Sequence, residues 1–214
     1  MFTLSRPTVT AQAPPATHRD EPFASYAALS GHLQAWGRAH RSGSAAAIWR
    51  RSVRSAVLAR RAGAADALVT AALLHRLGDL VRATRARAAA SPSAASIAHL
   101  GADLLADLYP PLVTEPIRLQ PSAQRYLATV TLPALCRAAR VELAEPVPAV
   151  KPMTKPEREC FAALPFSMNA VKLCRWTVAV ADEEGGEIDI GRELPALLRI
   201  TERSVCNDGF GWGV

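Results

Sequence analysis

Two histidine–aspartate pairs are the residues in this chain whose types and spacing could bind a metal ion. His75 and Asp79 are four residues apart, and so are His99 and Asp103. Residues four apart lie on one face of a helix, so each pair could present an imidazole and a carboxylate to a metal. If the two helices met, the four side chains could hold one metal ion for hydrolysis or oxygenation.

Other patterns that carry chemistry are missing from the sequence. The chain has no G-x-S-x-G elbow, no glycine-rich phosphate loop and no cysteine with a histidine close to it. The cysteines are far apart and form no C-x-x-C pair, so neither a zinc knuckle nor a redox motif is indicated. We expect buried thiols in a reducing cytosol. The four cysteines are Cys136, Cys160, Cys174 and Cys206.

The composition favours a single all-α domain. Of the 214 residues, 50% are apolar, and this fraction depends on alanine and leucine because aromatic residues make up only 6%. Alanine and leucine favour helices and close contact between helices. No segment reaches the roughly 18 uninterrupted apolar residues of a membrane-spanning helix. We therefore expect a soluble cytoplasmic protein that has no membrane partner.

The formal net charge of +6 comes mostly from arginine, much of it between Arg38 and Arg87. Arg50, Arg51 and Arg54 lie close together within this stretch. Such a run is usually a solvated helix face. Binding of nucleic acid by a basic helical protein is a less favoured alternative, and it would weaken steeply with added salt.

The sequence divides into a tail over residues 1–22, a helical domain over 23–204 and a glycine-rich tail over 205–214. The helix over 65–83 is the most apolar and should lie at the centre of the domain. The segments 88–96 and 142–155 should be irregular. The last tail could dock through Phe210 and Trp212. Helices are predicted from Tyr26 and over 48–62, 65–83, 95–108, from Thr114, 119–126, 132–141, 155–164, 167–181 and 193–203.

Several sequence blocks occur in the order, and at nearly the spacing, of one known family. These blocks are Gly63-Ala-Ala-Asp66 leading into Ala72-Leu-Leu-His75, Gly101-Ala, Pro110-Pro-Leu-Val-Thr-Glu-Pro-Ile-Arg-Leu119, Arg125-Tyr-Leu127, Pro152-Met-Thr154, Phe161-Ala-Ala-Leu-Pro165 and Ala170-Val-Lys-Leu-Cys-Arg-Trp176. They resemble the HD-domain oxygenases of the phosphonate-degrading, mixed-valent diiron type. That family includes aminohydroxyethylphosphonate dioxygenase and, more distantly, myo-inositol oxygenase. The resemblance implies a single HD-domain helical bundle.

The resemblance also implies two irons held by histidine and aspartate side chains from several helices. Of the six ligand positions, only the one at His75 carries the family's residue. Arg76 replaces the bridging aspartate with a cation that would repel a metal. His99 lies two residues beyond the ligand position near Ile97, a rotation of about 200° that should point it away from the family's metal centre. The remaining ligand positions fall on Arg51, Gln120 and Thr177.

The positions that contact substrate in the family have changed as well. The family's tyrosine and glutamate fall on Arg41 and Ser44, and its phosphonate-contacting lysine falls on Gln124. Its glycine pair falls on Val150 and Lys151. Arg125 and Tyr126 are retained, although they could be packing residues. Neither the irons nor the phosphonate would be held as in the family.

Our leading hypothesis is an HD-fold pseudoenzyme that needs no metal cofactor and binds a protein partner or an anionic small molecule. Arg51 and Arg76 would replace the charge of the irons, with Asp79 as an internal partner. The resulting pocket would either bind an anion or form a closed, ion-paired plug. The candidate ligand-binding residues are His75, Arg76, Asp79, Arg51, Gln120, Gln124 and Thr177.

His75 has two further interpretations. A single histidine on an apolar helix is often a hydrogen-bonded core residue. Alternatively, the chain is a remodelled HD-domain metalloenzyme, an oxygenase or a phosphohydrolase, in which His75 and Asp79 bind iron, with His99 or Asp103 as possible further ligands.

Overall fold

The computed structural model describes residues 23–39, 43–84, 93–130, 151–182 and 188–205. Within these ranges the chain is helical and contains no strand, which confirms the all-α prediction. The helices are α1 (Tyr26–Ala39), α2 (Gly43–Arg61), α3 (Asp66–Leu74), α4 (Leu77–Thr84), α5 (Ala94–Asp103), α6 (Pro111–Arg118), α7 (Gln120–Val130), α8 (Lys155–Ala163), α9 (Ser167–Asp182) and α10 (Ile190–Arg203).

Helix α2 ends at Arg61, next to the predicted end at residue 62, and Gly63 lies in the turn that follows. Gly63 has a φ of +69°, in the left-handed region that glycine adopts without strain. The N–H groups of Gly63 and Ala64 donate to the carbonyls of Arg60 and Ala59, over 3.0 Å in each case. These bonds satisfy carbonyls that the end of a helix leaves without partners, and the chain turns directly into α3.

The predicted helix over 65–83 is wrong as a single element, because a turn at His75 and Arg76 separates α3 from α4. The ring of His75 bonds to the carbonyl oxygen of Ala72 over 2.9 Å. In a continuous helix that carbonyl would accept from the backbone N–H of Arg76. The side chain therefore offers the backbone an alternative partner at the point where the helix ends.

Two further boundaries differ from the prediction around the Pro110–Pro111 pair. Helix α5 ends at Asp103, and turns continue the chain as far as Leu108. Helix α6 begins at Pro111 rather than at Thr114. Proline suits the first helical position because its φ is already helical and its missing N–H would have had no partner there. The proline pair therefore starts α6 before the predicted helix start at Thr114.

Helices α2 and α10 begin earlier than predicted. Helix α2 starts at Gly43 instead of the predicted residue 48. Helix α10 starts at Ile190, where the carboxylate of Asp189 accepts from the N–H of Arg192 over 3.2 Å. An aspartate at this position caps the first turn of a helix, so the helix begins before the predicted residue 193.

The buried residues form two clusters that share helix α9. The larger cluster includes the interior of α3, where all residues from 68 to 74 are buried, and this confirms the predicted central place of that segment. The smaller cluster joins α7, α8 and α9 through residues such as Phe161 and Val171. Helix α9 contributes Leu173 to the first cluster and Cys174 to the second.

Some predictions fall on residues outside the described ranges: the tails over 1–22 and 206–214, residues 88–92 of the predicted irregular segment, the helix over 132–141 and the loop over 142–150. The irregular segment predicted over 88–96 is wrong at residues 94–96, which belong to the start of α5. The expectation of buried thiols is correct for Cys174 and wrong for Cys160, which is exposed. Cys136 and Cys206 lie outside the described residues. None of the helices in the described ranges has the length and apolarity needed to cross a lipid bilayer.

Candidate functional site

His75 is a buried, neutral imidazole at the junction of α3 and α4. Its side chain is only 7% exposed. Burial, and to a smaller extent the charge of the neighbouring Arg76, lowers the pKa of His75 from 6.5 to about 4. A neutral ring that contacts the Ala72 carbonyl must donate its Nδ1–H, because a carbonyl oxygen only accepts. The interpretation of His75 as a hydrogen-bonded core residue is confirmed.

Arg76 forms an ion pair with Asp79 across one turn of the chain. The Arg76 Nε atom donates to the Asp79 Oδ2 atom over 2.9 Å, and each side chain is 24% exposed. The predicted partnership of these two residues is therefore confirmed. Because both side chains reach solvent, the pair lies at the edge of the protein and does not form a sealed internal plug. The carboxylate that could accompany His75 in a metal site is engaged by a cation.

The second histidine–aspartate pair has different surroundings. His99 is exposed on α5, whereas His75 is buried. The carboxylate of Asp103 accepts from the Nη2 atom of Arg118 on α6 over 2.7 Å, and the Asp103 side chain is 64% exposed. Among the residues that the structure describes, no three histidine, cysteine, aspartate or glutamate side chains are grouped as a metal site would require.

The other candidate residues lie on neighbouring helices. Helix α9 packs against α2, α3 and α7. Gln120 is buried at the start of α7, whereas Arg51 on α2, Gln124 on α7 and Thr177 on α9 are partly buried. Arg51 interacts with another residue and is not a free cation. The hydroxyl of Thr177 donates to the Cys174 carbonyl of its own helix over 2.8 Å.

These residues do not fit the dinuclear iron centre that the family resemblance implies. Iron in such sites is held by imidazole and carboxylate groups. The corresponding positions carry the guanidinium groups of Arg51 and Arg76, the amide of Gln120 and the hydroxyl of Thr177. Arg76 is directly next to His75 and is paired with Asp79. Arg41 and the side chain of Ser44 lie outside the described residues, as does Val150.

Arg125 and Tyr126, which the family resemblance includes, have structural contacts. The guanidinium of Arg125 donates to the Glu157 carboxylate over 2.7 Å and to the Lys151 carbonyl over 3.0 Å. These bonds from Arg125, together with those from Thr154, lower the pKa of Glu157 to about 2. The rings of Tyr126 and Phe161 are 5.3 Å apart. Both residues hold α7 against α8, which confirms the interpretation of packing residues.

A groove between the α2–α3 turn and α9 was not found by sequence reasoning. It has a volume of about 530 Å³, and its cationic side chains are Lys172 and Arg175 of α9. The sequence signal was present, since these residues are three apart on a predicted helix and precede Trp176. The facing wall, however, comes from residues 62–68, far earlier in the chain. Only the folded arrangement brings the two segments together.

The chain was also compared with known proteins. A comparison with models of protein families found no match, and none of the curated proteins matches the chain.

Proposed function

We propose that this chain is a non-catalytic relative of the HD-domain oxygenases whose helical bundle acts by binding. The observation that carries this proposal is the environment of His75. Its neighbour Arg76 is paired with Asp79, and its own Nδ1 atom bonds to the Ala72 carbonyl of the preceding helix α3. A cation at the position of a bridging carboxylate opposes the binding of a divalent metal. In this proposal, the helix that leads into His75 has a structural role only.

Two binding roles fit such a scaffold, namely a protein partner and an anionic small molecule. The groove beside Lys172 and Arg175 supports the second role, because it joins a concave surface to two cationic side chains. The basic stretch of α2 does not favour nucleic acid in the same way, since Arg50, Arg51 and Arg54 each already interact with another residue. An anionic small molecule is therefore the ligand that this surface favours.

Metal analysis of the full-length protein tests the proposal. Protein would be produced with iron supplementation, passed through gel filtration and analysed for iron and manganese, alongside His75→Ala and the matched control His99→Ala. We expect metal contents far below one per chain in all three proteins. Near-stoichiometric metal that is lost in His75→Ala and kept in His99→Ala would overturn the proposal in favour of a remodelled metalloenzyme.

A further inference from the structure

We propose that the groove between the α2–α3 turn and helix α9 binds an organic anion that carries an apolar body. This inference rests on the proposed binding role and gives it a site and a class of ligand. The volume of about 530 Å³ lies within the roughly 300–1,000 Å³ that is usual for small-molecule sites. None of the side chains that the sequence predicted for binding lines this groove.

The charge of the groove is one-sided. Lys172 and Arg175 line it, and no carboxylate from the part of the chain that the structure describes does. Asp66 belongs to the facing segment 62–68 but does not line the groove. Its Oδ2 atom lies 2.9 Å from the Nε atom and 2.8 Å from the Nη2 atom of Arg203. Within the described residues, neither Lys172 nor Arg175 forms an ion pair. Since the two cations are one helical turn apart, an anion between them would relieve their repulsion.

The rest of the lining is mostly apolar. Trp176 lines the groove and also packs against the larger buried cluster, so its indole is held in place. Leu112, which is 41% exposed, and the buried Leu68 extend this surface. At Gly63 no atom lies within 4 Å of the place where a Cβ would be, which leaves this side of the groove open. Burial of a hydrocarbon or aromatic body here would add hydrophobic stabilisation to the ion pairs.

The polar groups lie along one side of α9. Asn169, Lys172 and Arg175 follow one another at intervals of three residues, so they form a row along the helix. Asn169 provides an amide that can donate to an anion or accept from a hydroxyl. The charged head of the ligand would contact this row, and its apolar body would contact Trp176 and Leu112. The volume of about 530 Å³ fits a small molecule better than an extended acidic segment of a protein.

The test uses two fluorescent probes that differ mainly in charge. The anionic probe is 8-anilinonaphthalene-1-sulfonate and the uncharged one is N-phenyl-1-naphthylamine; each is titrated into the full chain. Combining Lys172→Glu with Arg175→Glu should lower the affinity for the anionic probe by at least about tenfold, which corresponds to the loss of two modest ion pairs. The uncharged probe should bind almost unchanged. Arg192→Glu and Arg199→Glu, exposed sites on α10, form the matched double control and should affect neither probe.

Competition identifies the kind of anion. Phenyl phosphate and benzoate should displace the sulfonate probe, and the stronger of the two identifies the preferred head group. Inorganic phosphate should fail at the same concentration because it lacks an apolar body. Displacement by an acidic peptide but by neither aromatic anion would overturn the proposal in favour of a protein partner. Equal displacement by inorganic phosphate would overturn the proposal that the apolar lining of the groove contributes to binding.

Unchanged affinity for the anionic probe in the groove variant would overturn the proposal, and so would an equal loss for both probes. Near-UV circular dichroism and urea midpoints establish that the variants are folded. If the glutamate variant is unfolded, Lys172→Gln combined with Arg175→Gln gives the same test without charge reversal. These readouts do not involve metal content. A failed groove therefore leaves the metal test intact, and stoichiometric iron would overturn the proposed function without affecting the probe result.

Discussion

Gly78 on α4 lies so close to Ile97 on α5 that a Cβ atom at residue 78 would stand 2.3 Å from the Ile97 carbonyl oxygen. The other side of this contact is also a glycine, because the backbone nitrogen of Gly101 would be 3.2 Å from the same Cβ. The two helices therefore cross backbone to backbone. This crossing holds the segment that follows His75 and Arg76 in position.

We expect Gly78→Ala to destabilise the protein by about 3 kcal/mol, because the added methyl group meets backbone atoms that cannot rotate away. The measurement is urea unfolding followed by circular dichroism. Gly31→Ala is the matched control: Gly31 lies in α1 and has nothing within 4 Å of its would-be Cβ. That substitution should be neutral or stabilising by up to about 1 kcal/mol. Equal effects of the two substitutions would contradict the close crossing.

Stability should fall on acidification because His75 is buried in its neutral form. The unfolded chain takes up a proton near pH 6.5, whereas the folded chain resists it until about pH 4. The stabilisation is therefore complete above pH 6.5 and is lost between pH 6.5 and 4, by about 3 kcal/mol for a shift of this size. His75→Gln should flatten the curve of unfolding free energy against pH in this window.

The exposed His99 supplies the control for this pH dependence. His99→Gln should leave the curve of unfolding free energy unchanged between pH 6.5 and 4. Glu157, whose pKa is lowered from 4.5 to about 2, changes the unfolding free energy over a more acidic pH range. Its stabilising contribution is present above pH 4.5 and is lost as the pH falls towards 2. A curve for His75→Gln as steep as that of the wild type would show that another group is responsible.

The Arg76–Asp79 pair should contribute only about 0.5 kcal/mol, since both side chains reach solvent and lie one helical turn apart. A double-mutant cycle with Arg76→Ala and Asp79→Ala, read by urea unfolding, measures the coupling. A coupling of several kcal/mol would instead indicate a pair sealed away from water.

Replacing the cation by a carboxylate should not recreate a metal site. Arg76→Asp places two carboxylates three residues apart, so we expect it to be about 0.5 kcal/mol less stable than Arg76→Ala. Iron content should stay far below one per chain, because Arg51, Gln120 and Thr177 remain unsuitable ligands. Elemental analysis after iron supplementation measures this. A stable variant that retains iron stoichiometrically would refute the argument from the donor set.

The sequence was sufficient where a local signal decides the structure. The left-handed turn at Gly63, the extents of α8 and α9, and the Arg76–Asp79 partnership depend on residues close together in the chain. Apolar content alone indicated the central place of residues 68–74. In each of these cases the residues that decide the structure are neighbours in the chain or share one helix.

The features that the sequence did not predict depend on competition between local and distant contacts. Apolar spacing continues across His75, so it gave no sign that the imidazole would take the Ala72 carbonyl and end the helix. It also gave no sign that Gly78 would meet the backbone at Ile97. The groove needs residues 62–68 opposite Lys172 and Arg175. No pattern within one segment contains this pairing, because it is created by the packing of α9.

Helix α9 contributes side chains to both buried clusters, and this sharing has a consequence for how the molecule opens. The smaller cluster cannot separate from the larger one as an independent unit while α9 stays intact. The amide hydrogens around Leu173 and Cys174 should therefore be among the slowest to exchange with deuterium, at a rate that reports opening of both clusters together. A ligand held against Lys172 and Arg175 would slow exchange in both clusters at once.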